Sequence, residues 1–304
     1  MKRFFNIVVF LNLLLLVFSL RPVRRYRQSI GRYRKTSIRK LNTDGTVSIF
    51  AYPNTFGTQT VFANKSIVIQ CVEDLVRNNS ELAARILGAF KYTTKGLIRQ
   101  VLQINRPPFI VIEASLHSRT RKVASMLAEN MGAKYIETPP GGIGQLWNEV
   151  KHKTMERTVY NSLSVYAAEY KAKKLLSKNH PVVMKGYWFS MISNVIGKLW
   201  NYYYFPRGHE IYKEPQDLMM PDLAVYVDFH QEKLEKHIAG IVARKGRVFG
   251  NFPFPRLVLL TNPNGSDWNI ANDLTNILVK HLEPKHQKYL SFHPRITLKM
   301  PLTY

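Results

Sequence analysis

Eight consecutive residues have the order and setting of a phosphate-binding turn: Ala114-Ser115-Leu116-His117-Ser118-Arg119-Thr120-Arg121. An apolar run precedes them and an amphipathic segment follows. That strand–loop–helix context is the one in which G-x-x-x-x-G-K-[ST] works. There, backbone N–H groups cradle phosphates, a lysine reaches the β/γ oxygens and a hydroxyl holds Mg²⁺. In this register Ala114 and Arg119 take the glycine positions, Thr120 the lysine position and Arg121 the Ser/Thr position. Arginine in place of the second glycine puts a long side chain where a phosphate would lie. Arg119, Arg121 and the adjacent Lys122 nonetheless supply cations, and a guanidinium pairs bidentately with phosphate. Ser118, Arg119, Thr120, Arg121 and Lys122 therefore form a degenerate phosphate loop in which a nucleotide or another polyanion is the expected ligand.

The remaining chemistry-bearing residues give less. Nine histidines show no H-E-x-x-H spacing, and the single Cys71 supports neither a zinc site nor an intrachain disulfide. His117-Ser118 has no third member for a catalytic triad. Glu113 and Asp222 lie at or near strand ends, where the preferred reading is a solvated or capping carboxylate and the alternative is recruitment for Mg²⁺. Tyr202-Tyr203-Tyr204-Phe205 reads as a packed loop, because only Arg207 follows it closely and base stacking needs interleaved cations. No catalytic residue and no metal ligand is assigned.

The elements that must position the loop can be read from periodicity. Pro108 to Glu113 is a short apolar, β-branched run and predicts a buried strand. Val123, Met126, Leu127 and Met131 recur at helical spacing, with Gly132 as the stop. Further strands are expected at Lys134–Glu137, Pro181–Met184, Pro221–Val227 and Arg256–Leu260. Helices are expected around Val159–Leu175, Phe189–Trp200, Gln231–Val242 and Trp268–Leu282. Short apolar strands alternating with helices imply an α/β fold with a parallel sheet covered on both faces. Upstream, Val47–Tyr52 predicts a strand and Ile67–Val76 a strand or helix start. Leu82–Phe90 and Leu97–Ile104 have helical spacing, and Arg106-Pro107-Pro108 marks a boundary.

The chain has 304 residues and a net charge of +24. Residues 1–40 hold eleven Lys/Arg and no Asp or Glu, yet the rest, with 33 basic against 20 acidic residues, is still basic. That balance favours anionic partners. Phe4–Leu20 is apolar apart from Asn6, Asn12 and Ser19, and is flanked by arginine. An acid-free, Arg-rich leader predicts a mitochondrial presequence, with an N-terminal membrane anchor on an anionic bilayer as the alternative. Asn64, Asn78 and Asn264 each begin a glycosylation sequon, which matters only on the secretory route.

Taken in order, several segments resemble the thymidylate kinase family of nucleoside monophosphate kinases, and within it the mitochondrial UMP-CMP kinase branch. They are Pro108–Glu113, Thr138-Pro139-Pro140 with Ile143-Gly144-Gln145, Ser162-Leu163-x-x-Tyr166, Tyr187-Trp188-x-Ser190, and Pro215-Gln216-Asp217-Leu218-x-x-Pro221-Asp222-Leu223. The resemblance covers about residues 107–283. It implies a three-layer parallel sheet of the P-loop nucleotide-kinase type, preceded by a small extension, and phosphoryl transfer from Mg-ATP to dTMP, UMP or CMP. It further implies an acceptor side near Lys185, Tyr187 and Trp188, a basic lid near Arg244 and Arg247, and a homodimer. The family's Asp-Arg pair after the third strand is Lys185-Gly186 here. The expected organisation is a targeting or anchor segment (1–43), an extension (44–106), a kinase-like domain (107–283) and a tail (284–304). The expected function is that of a catalytically impaired relative that still binds nucleotide. One alternative is an active kinase using ATP and Mg²⁺ through non-standard residues. Another is a basic membrane- or RNA-associated module.

Overall fold

The computed structural model describes residues 46–49, 59–62, 64–96, 105–114, 117–150, 154–199, 205, 207–229, 245–253, 257–261 and 265–292. The expected helices at Leu97–Ile104 and Gln231–Val242, the leader and Arg244 lie outside them. Strands β1 (Thr46–Ile49) and β2 (Gln59–Phe62) form an antiparallel pair. Helices α1 (Lys65–Arg77) and α2 (Glu81–Thr93) follow. The alternating part runs β3 (Phe109–Ala114), α3 (His117–Asn130), β4 (Lys134–Glu137), α4 (Gly141–Gly144), α5 (Met155–Leu176), β5 (Val182–Lys185) and α6 (Trp188–Leu199). It continues through β6 (Leu223–Asp228), helical residues 245–251 (α7), β7 (Leu257–Thr261), α8 (Asp267–His281) and α9 (Pro284–Gln287).

Five strands pair in parallel in the order β4-β5-β3-β6-β7. The alternation along β3 assigns the two faces. Phe109 and Val111 join a core built with α1, α2, α5 and α6, whereas Ile110, Ile112 and Ala114 join one built with α3 and α8. All six residues of β3 are buried, as a central parallel strand requires. The expected three-layer α/β sheet is therefore present. The expected extension supplies α1 and α2, and their Val68, Val72, Ile86 and Phe90 pack in the same core as Leu163 of α5. Ile67–Val76, ambiguous between strand and helix, is helical, with Asn64 accepting from the Ile67 N–H at 3.0 Å.

Local signals explain the ends of two helices of the alternating part. Thr154 caps α5 by accepting the Arg157 N–H, Glu156 lies in its first turn, and Lys173 and Lys174 in its last. Gly132 ends α3 with φ +63°, and the Ala133 N–H returns to the Ala128 carbonyl at 2.8 Å. A Cβ at position 132 would lie 1.9 Å from the Ser291 hydroxyl and 2.9 Å from its carbonyl oxygen. Gly132→Ala is therefore expected to cost about 2 kcal/mol from the left-handed backbone and the displaced 291 segment together. A thermal melt checks this, and an unchanged midpoint would contradict it. Among the described residues no helix is long and apolar enough to cross a membrane.

Candidate functional site at the carboxyl ends of the strands

In an open parallel sheet, ligands bind beyond the carboxyl ends of the strands, where neighbouring connections leave in opposite directions. Here the connection from β3 runs toward β4 and that from β6 toward β7, so the crevice opens beside the end of β3. Glu113, Lys185 and Asp228 stand at or next to the strand ends that border it.

Glu113 is buried and faces the first turn of α6. It accepts the Tyr187 N–H at 2.8 Å, the Ser190 N–H at 3.2 Å and the Ser190 hydroxyl. These are donors that a helix start would otherwise leave unpaired. Burial pushes the carboxyl up to about 7 against the pull of those hydrogen bonds and of the Lys245 charge. Burial in turn lowers Lys245, with Glu113 opposing the shift. Of the two readings open for Glu113 in the sequence, capping is the observed one, but as a buried group rather than a solvated one. Asp222 lies at the amino end of β6, on the opposite edge of the sheet. It holds Arg106 through two oxygens at 2.6 and 3.2 Å and accepts the Phe109 N–H at 2.8 Å. Its position sets it apart from the loop, so the alternative of a magnesium ligand there does not apply to it.

The loop cations part company. Arg119 turns toward α8: its Nε donates to Asp267 at 2.7 Å, its Nη2 donates to the Gly265 carbonyl at 2.7 Å, and its guanidinium lies 5.1 Å from the centre of the Phe229 ring. Thr120 is buried and Lys122 exposed. Ser118 lies in the first turn of α3, its side chain outside the described set. Arg121 instead makes two parallel bonds to Glu137, both 3.0 Å, and Lys185 approaches the same carboxylate at 3.6 Å. The first turns of α3 and the end of β5 thus meet on the last residue of β4, which the sequence reading did not single out.

The rings expected on the acceptor side lie in the core. Tyr187 is 1% exposed, meets Phe109 edge-on at 5.3 Å and donates its hydroxyl to the Met219 carbonyl at 2.9 Å. Burial raises its pKa well above the usual phenol range. Trp188 is 2% exposed and lines a small cavity with Phe62, Tyr166 and Met191. Neither ring offers a free face for base stacking. Arg247 is exposed on α7, whose Gly246 lies against Asp228 and Tyr226.

Tested against a magnesium nucleotide, these residues fit the anion better than the metal. Glu113 is committed to α6, and Asp228 is the carboxylate left at the crevice. Among the described residues no group of three His, Cys, Asp or Glu could hold a metal ion. Glu137 and Asp228 were missed in the sequence, and Ser190 was noted there only as part of a family segment. For Glu137 and Asp228 the available signal was a charged residue closing an apolar strand.

Comparison with known proteins adds context. No protein-family model matches the chain. It is 34% identical over 79 residues to the DNA double-strand break repair helicase HerA of Sulfurisphaera tokodaii, a stretch that is 26% of this chain and spans 15% of that protein's length. Among solved structures it is similar to thymidylate kinase from Candida albicans, with a TM-score of 0.45 and 16% identity. That alignment covers 62% of this chain and 98% of the other.

Proposed function

We infer that the chain is a thymidylate-kinase-like protein that binds a nucleotide or related polyanion beside the end of β3 and has lost efficient phosphoryl transfer. The observation that carries this reading is the fate of Arg119. The residue at the second-glycine register is an arginine whose guanidinium is engaged with Asp267, the Gly265 carbonyl and the Phe229 ring. Phosphoryl transfer is mainly positioning and charge neutralisation, so losing the glycine, the lysine and the acid after the third strand removes most of the means. Arg121 and Lys185 remain as converging cations. The acid-free leader supports a mitochondrial destination within the same reading, and the family resemblance supports a homodimer.

One observation favours an active enzyme instead. Asp228 ends β6 at the crevice, with its carboxylate beside Gly246 of α7. The two readings separate in a phosphoryl-transfer assay with Mg-ATP and dTMP, UMP or CMP. The impaired protein is expected to give no ADP above background. Mg²⁺-dependent turnover abolished by Asp228→Asn would establish the active one.

A further inference from the structure

Two cations of different elements converge on one carboxylate at the carboxyl ends of β4 and β5, on the side of β3 away from β6. Arg121, in the second turn of α3, grips Glu137 through Nε and Nη2 at 3.0 Å each. Lys185, the last residue of β5, reaches the same group at 3.6 Å. Tyr135 adds its hydroxyl at 3.3 Å. The Lys185 side chain is only 12% exposed, so its charge is largely withdrawn from water. A nearly buried ammonium needs a close counter-ion, and 3.6 Å is a long contact for one. Arg121 and Glu137, at 63% and 32% exposure, are open enough to exchange partners. The backbone holds the two strands in fixed register here, with the Thr138 N–H bonded to the Lys185 carbonyl at 3.1 Å.

We propose that Glu137 is a built-in competitor: its carboxylate occupies an anion site, formed by Arg121 and Lys185, that otherwise takes the phosphate of a phosphate monoester. A tetrahedral phosphate presents three oxygens and nearly two negative charges where the carboxylate presents two oxygens and one. It therefore satisfies a guanidinium fork and an ammonium at once, and ligand binding requires Glu137 to swing out. The site is made by side chains of α3 and β5, not by the backbone of the loop. The inference rests on the anion-binding reading given above and names the residues that do the binding and the group that restrains it.

Calorimetric titration of the full chain with inorganic phosphate, UMP and uridine tests it. Glu137→Gln is expected to bind both phosphate and UMP about fivefold tighter than the native chain, the gain expected from removing one partly exposed competing ion pair. Uridine is expected to be unaffected. Lys185→Met in the native background is expected to weaken phosphate and UMP alike. A gain with UMP but not with phosphate would overturn the shared-site assignment. Equal affinities for native chain and Glu137→Gln would overturn the proposal, as would an unchanged affinity in Lys185→Met. Native binding of UMP without those changes would overturn this inference alone. Failure of every form to bind UMP or phosphate would overturn it together with the nucleotide-binding reading.

Discussion

Glu113→Gln is expected to flatten a fall in stability that the native chain shows between about pH 4.5 and 7. The ordinary carboxyl value is 4.5, and burial lifts this one to about 7 in the folded chain. Between those limits the folded protein holds a proton that the unfolded chain has released. Stability therefore declines as pH rises through that window and levels off above it. The expected size is about 3 kcal/mol, taken over the width of the window. Glutamine keeps a carbonyl for the Tyr187 and Ser190 N–H groups and cannot ionise, so the variant loses that slope. Glu113→Ala behaves differently, because it strips the acceptor from the start of α6 and costs about 3 kcal/mol at pH 5. Urea unfolding at pH 5 and pH 8 separates the cases. Parallel pH dependences for native chain and Glu113→Gln would contradict the burial argument.

Asp222→Ala is expected to cost about 4 kcal/mol, from leaving buried charge and donors without a partner. Asp222 is 10% exposed and joins three parts of the chain. Arg106 grips it ahead of β3, the Phe109 N–H binds it at the first residue of β3, and buried His286 on α9 lies 3.4 Å away. The His286 Nδ1 faces the Arg106 carbonyl at 3.2 Å, which ties α9 to the same point. The cost arises at the amino edge of the sheet, far from the crevice. Asp222→Ala is therefore expected to lower the urea midpoint while leaving nucleotide affinity of the folded fraction unchanged. A loss of under 1 kcal/mol would show that the cluster is solvated rather than buried.

The sequence made the sheet legible because each strand of the alternating part is a short apolar run bounded by turn residues, as Phe109–Ala114 and Val182–Lys185 show. It was least clear where an apolar run fits both periods, as at Ile67–Val76, and there the Asn64 cap was the missing discriminator. The site was legible as an altered loop but not as a geometry. Arg119 and Asp267 are 148 residues apart, and Glu113 and Ser190 are 77 apart, so no local pattern connects them. Tyr187 and Trp188 were expected on the acceptor side, and the fold places both rings in the core. Glu137 escaped notice because a lone acid at a strand end is usually solvated. Its meaning appears only once α3 and β5 bring Arg121 and Lys185 to it.

The most direct test of retained binding with lost transfer is thermal unfolding of the full chain against ATP, dTMP, UMP and CMP, with and without Mg²⁺. A ligand specific to the folded state adds about 2.7 kcal/mol at a hundred times its dissociation constant. The account predicts a midpoint rise with at least one nucleotide that persists without Mg²⁺, because Arg121 and Lys185 rather than a metal hold the phosphate. No shift with any nucleotide, or a shift that requires Mg²⁺, would contradict it.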